Sequence, residues 1–75
     1  MEWTKEKLQT YLCMAMRLED GRRVFFSEER NQGKPCYYVK PFVSFLQLPK
    51  TPRICSDLSP EDMAAWLNEH KATIP

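Results

Sequence analysis

The sequence predicts a small α+β domain: an N-terminal helix, a two- or three-stranded antiparallel β-sheet, and a C-terminal helix packed on that sheet. Three observations lead there. The segment around Ser59 and Pro60 carries a full set of helix-start signals. Two β-branched and aromatic runs flank a polar stretch with a glycine. Nine aromatic residues in 75 then supply enough apolar area for a folded core, so disorder is not expected. A chain of this length makes one domain with a small core, whose stability is marginal unless a metal, a disulfide or a partner adds to it.

The first element is expected over about residues 4–19. Thr4 can act as N-cap, Trp3 and Leu8 stand in staple positions, and Leu8, Tyr11, Leu12, Ala15 and Leu18 fall close to helical period. Lys7 occupies the place of the acid that would complete a capping box, and Gly21 suits a left-handed C-cap. A competing reading makes 11–18 a strand joined to the next by a hairpin turn at Asp20-Gly21.

Residues 22–27 and 36–40 read as strands, with Ser27 to Pro35 as a polar connector in which Gly33 is free to take positive φ. Alternation separates Val24 and Phe26 from Phe25, and Cys36, Tyr38 and Lys40 from Tyr37 and Val39. Phe26, Tyr38 and part of 42–48 are assigned to the core. Between Pro41 and Pro49, residues 42–48 fit either a third strand or a single helical turn, and Pro49 and Pro52 impose an extended connector after them. The final helix spans 60–70. Ser59 is its N-cap, Pro60 its first residue, Asp62 the acid of a capping box, and Leu58 and Met63 its staple; Met63, Trp66 and Leu67 form the apolar stripe, with Trp66 as the anchor on the sheet.

Charge is unevenly distributed. Residues 22–53 hold seven cations and two carboxylates, a local balance of +5, whereas residues 1–21 carry −1 and residues 54–75 carry −3. The same basic middle contains the strand aromatics. No apolar run is long enough to cross a bilayer, and Met1 is not followed by a basic-then-apolar leader, so a complete cytosolic chain is expected. Cys13, Cys36 and Cys55 are odd in number and widely spaced, which predicts reduced thiols rather than a disulfide framework.

Catalysis is not expected. Cys13, Cys36, Cys55 and His70 make an acceptable count of zinc ligands, but structural zinc sites draw on closely spaced pairs and these four sit on separate elements. With His70 the only imidazole, one Cys–His pair is the most the chain could assemble; nothing in sequence around Cys13 or Cys36 suggests an activated thiol, and Cys55 after Arg53 is only weakly electropositive. Glu28 and Glu29 are adjacent and point apart, Glu61 and Asp62 serve the helix start, and two glycines make no phosphate loop. No cofactor is implied.

A binding role remains. Tyr, Phe, Met and Arg are enriched in the cores of protein interfaces, and the chain has more large apolar side chains than a small sheet and two helices can hide. The expected function is therefore non-catalytic binding of a protein partner, in the manner of a phage- or mobile-element-type inhibitor or accessory factor that occupies its partner's surface. Homodimerisation would bury the same patch. The alternative is a small nucleic-acid-binding domain, in which cations of the hairpin hold phosphate and its rings stack on bases. Both readings place the site at Arg22, Arg23, Phe25, Arg30, Lys34, Tyr37 and Lys40.

Overall fold

The computed structural model of the chain describes residues 2–43 and 51–75. They form a 3-10 helix (Lys5–Tyr11), four strands, β1 (Met16–Arg17), β2 (Arg23–Asn31), β3 (Lys34–Pro41) and β4 (Cys55–Leu58), and one α-helix, α1 (Pro60–Glu69). The strands make one antiparallel sheet in chain order, β1-β2-β3-β4. The shortest extent of the molecule, 18 Å, is about that of one sheet and one helical layer.

The N-terminal helix is much shorter than the 4–19 the spacing predicts. Thr4 has extended backbone at the N-cap but makes no side-chain cap bond, and the helix ends at Tyr11. Cys13, at φ 63°, turns the chain, and its N–H donates to the Phe26 carbonyl at 2.8 Å. From there the segment runs beside β2, with Met16 and Leu18 buried and Arg17 exposed between them, the period of a strand. Pairing with β2 gives this backbone partners in the sheet that a longer helix would have had to supply internally. The competing hairpin reading describes 16–18 better. Gly21 closes the turn: its N–H reaches the Leu18 carbonyl at 2.9 Å and Leu18 N–H reaches the Arg22 carbonyl at 2.8 Å, with Gly21 at φ 91°. This is a three-residue hairpin loop whose last residue must be left-handed, hence glycine.

The polar connector expected over Ser27–Pro35 is mostly strand. β2 and β3 continue to a two-residue turn, Gln32-Gly33, with φ 54° and 79°. Positive φ at both positions matches the twist of the flanking strands. Polar residues persist there because they find tertiary partners: Tyr37 O–H donates to Glu28 Oε2 at 3.0 Å, Gln9 Nε2 donates to both, and Glu29 pairs with Arg53. Phe42 and Val43 lie outside any strand, and the rest of the 42–48 segment lies outside the described residues.

Register sorts the rings. Phe26 faces Val39, Glu28 faces Tyr37 and Val24 faces Pro41 on one side; Phe25 faces Lys40, Ser27 faces Tyr38 and Glu29 faces Cys36 on the other. The first side meets the helices. Val24, Phe26, Tyr37 and Val39 join Trp3, Leu8, Met16, Leu18, Met63, Ala64, Leu67 and Ala72 in one core. Tyr38, assigned to the core from sequence, is only half-buried on the other side, and Tyr37 takes its place with 3% exposure.

Helix α1 starts as its sequence predicts. Asp62 N–H donates to Ser59 Oγ at 3.1 Å, and Met63, Ala64 and Leu67 carry its burial. Trp66, expected as the anchor, is half-buried at the margin and stacks on His70 at 4.0 Å. Lys71, at φ 52°, ends the helix: Lys71 N–H bonds the Asn68 carbonyl at 3.2 Å and Ala72 N–H bonds the Leu67 carbonyl at 3.0 Å, a Schellman pattern with lysine in the usual glycine place. Thr73 then pairs with Arg17 through two backbone bonds of 2.9 Å, covering the outer edge of β1. Trp3 closes the other end: its indole N–H donates to the Ala72 carbonyl at 2.8 Å, and the Asn68 amide both accepts from and donates to the Trp3 backbone.

Candidate binding face

Strand alternation sends Arg23, Phe25, Ser27 and Glu29 of β2, and Cys36, Tyr38 and Lys40 of β3, to the side of the sheet that bears neither of the two described helices. Arg17 joins them from β1, directly opposite Arg23. Phe42 stands next to Arg23, its N–H donating to the Arg23 carbonyl at 2.9 Å, and its ring meets Phe25 edge to face at 6.4 Å. Arg53 reaches in from before β4. Its guanidinium lies 4.0 Å from the Tyr38 ring centroid and holds Glu29 by two contacts of 2.7 and 3.1 Å, while Lys40 Nζ stands 5.7 Å from the same ring. Cys36 is buried beneath this cluster; burial pushes its thiol pKa up, and Glu29 beside it adds to the shift.

The seven residues expected to form the site separate. Arg23, Phe25 and Lys40 come together here. Arg22 sits in the β1–β2 turn, paired with Asp20 at 2.6 Å; the Asp20 carboxyl is held below its ordinary pKa, chiefly by the backbone N–H of Arg22. Arg30 and Lys34 stand at the far turn, where Arg30 donates to the Gly33 carbonyl at 3.0 Å. Seven residue steps along a strand separate Arg23 from Arg30, about 23 Å. Tyr37 is in the core and presents no surface for a ligand; burial, then its bond to Glu28, raises its phenol pKa.

Three participants escaped the sequence reading: Arg17, Tyr38 and Arg53. The signal for Tyr38 was Gln32-Gly33 itself, since a two-residue turn there fixes Tyr38 opposite Ser27 and away from Phe26. Arg17 was hidden by the helical reading of 4–19. No local pattern places Arg53, because its partners Glu29 and Tyr38 are distant in sequence.

Electrostatics divides the cations into two sets. Lys5, Arg22, Arg53 and Lys71 each have a carboxylate, on Glu61, Asp20, Glu29 and Glu19. Lys7 donates to the Glu2 carbonyl. Among the described residues no carboxylate pairs with Lys7, Arg17, Arg23, Arg30, Lys34 or Lys40, and all of these but Lys7 belong to β1, β2 and β3. Among those residues, too, no three of His, Cys, Asp and Glu gather where a metal could bind, and no helix is long and apolar enough to cross a membrane. Comparison of the chain with protein-family models, curated proteins and solved structures returns no match.

Proposed function

We propose that the chain is a non-catalytic binding module that docks the basic, aromatic side of its sheet onto an acidic surface of a protein partner, modulating that partner by occupying the surface. One observation carries this reading. Arg17, Arg23 and Lys40 surround Phe25 on one face with no carboxylate among the described residues to neutralise them, although such pairs form elsewhere on the molecule. Uncompensated charge around an aromatic centre is the composition of a surface that meets its complement in another molecule.

The same cations would attract nucleic acid, and the rings decide between the two. The Tyr38 ring carries the Arg53 guanidinium and Phe25 packs against Phe42 in a T-shaped pair, so both rings already have partners within the face, which favours the protein reading. Glu29 within the face also opposes a phosphate track.

Affinity capture with tagged wild-type protein tests the reading. A partner retained by Arg30→Gln and Lys34→Gln but lost with the Phe25→Ser, Lys40→Gln double variant supports docking through this face. Retention by the double variant sinks it. Tight binding of a random oligonucleotide, falling steeply between about 50 and 200 mM salt, would install the nucleic-acid reading instead.

A further inference from the structure

Arg17 and Arg23 are directly opposite each other across β1 and β2, and their side chains share one face. Like charges so placed repel, and a fold selected for stability alone would put a carboxylate or a neutral residue at one of the two positions. Nor is the juxtaposition loose. The Arg17 N–H and C=O both bond Thr73 at 2.9 Å, and the next residue, Leu18, bonds the Arg22 carbonyl at 2.8 Å, so the strand is held on both sides. No hydrogen bond or ion pair is made by either guanidinium among the described residues. Lys40 lies one row further along, opposite Phe25.

We propose that Arg17 and Arg23 form a two-guanidinium clamp for a carboxylate of an extended acidic peptide segment on the protein partner, with Phe25 beside it receiving the segment's apolar side chain. This rests on the docking face argued above and specifies what that face reads. Charge complementarity selects the occupant: two planar forks a strand spacing apart match the oxygens of a carboxylate, and Lys40 extends the positive field to the next acidic residue. The face already contains one pair of this kind, since Arg53 grips Glu29 in bidentate fashion. That internal carboxylate lies toward the far turn, away from Arg17, Arg23 and Lys40, the three cations gathered around Phe25.

The repulsion gives the clamp a stability signature. Removing one charge relieves it, so Arg17→Gln raises the melting temperature by roughly 1–5 °C at low salt, and the gain shrinks at high salt. A residue with a structural role would show the reverse sign.

Binding is read with a labelled hexaglutamate peptide, titrated at low salt and followed by fluorescence anisotropy and by the Nε–H resonances of the arginines. Wild type binds it, Arg17→Gln and Arg23→Gln each weaken it about tenfold, and Lys34→Gln stays within about twofold. Hexathymidylate is the comparison polyanion and binds less tightly. The clamp is overturned by any of three results: no hexaglutamate binding, equal binding by Arg17→Gln, or tighter binding of the thymidylate. If the partner is still captured by Arg17→Gln but lost with Phe25→Ser, Lys40→Gln, the clamp falls and the docking face stands. If both variants capture it, both fall.

Discussion

Phe25 and Phe26 are consecutive in the chain and chemically identical, as are Tyr37 and Tyr38, yet the sheet gives each pair two environments. Phe26 and Tyr37 lie in the core with Trp3, their rings 6.1 Å apart, and Tyr37 is bonded to Glu28 and Gln9. Phe25 and Tyr38 sit half-buried on the other side among arginines and a lysine. On the covered side no buried side-chain polar atom among the described residues lacks a partner; on the other side Arg17, Arg23 and Lys40 have no carboxylate among those residues. Stability is concentrated on one side of a sheet about one residue thick, which leaves the other side free to specialise.

The largest expected contrast is at the phenylalanines. Phe26→Ala removes a fully buried ring and costs about 3–5 kcal/mol, comparable to the whole stability of a small domain, whereas Phe25→Ala costs less than about 1. Urea unfolding measures both, and equal losses would break the distinction between the two sides.

The tyrosines sharpen it. Tyr37→Phe strips a donor from Glu28 and costs about 1–2 kcal/mol, while Tyr38→Phe is near neutral. Tyr37 adds a pH signature. Its phenol pKa is raised in the folded state, so the folded state favours the protonated form. That contribution is full below the ordinary value near 10 and is lost as pH rises through the raised value. Alkaline destabilisation of the wild type should therefore be weaker in Tyr37→Phe, read from melting temperatures between about pH 8 and 11.

Smaller effects test the frame around the two sides. Ser59→Ala removes the helix cap and costs about 1 kcal/mol by thermal melting. Lys71→Gly relieves a left-handed residue and gains about 0.5–1 kcal/mol, because the ion pair it gives up with Glu19 is exposed and weak.

What was legible in the sequence follows the range of the interaction. The start of α1 could be read because a cap, a proline and an acid act within four residues of chain. Val24 and Phe26 could be assigned to one face because alternation is local. The 4–19 segment misled because Leu8, Tyr11 and Leu12 fit a helix, and the strand period of Met16 and Leu18 is too short a run to compete; pairing with β2 decided it. β4 left no trace at all. Its four residues, Cys55–Leu58, lack an apolar pattern, include Asp57 at φ 59°, and owe their extended form to β3. Of the candidate face, Arg23, Phe25 and Lys40 were visible through composition, and Arg17 and Arg53 were not, because their places depend on distant partners.

The knot that ties Trp3 to Asn68 and Ala72 has a practical consequence for anyone rewiring the chain. Residues near both ends meet on the helical layer, so a short linker joining them and new ends cut at the exposed Gln32-Gly33 turn should yield a circular permutant with the same sheet. Labels or tethers placed at the joined ends would lie on the helical side of the sheet, opposite the side that carries Arg17, Arg23 and Lys40.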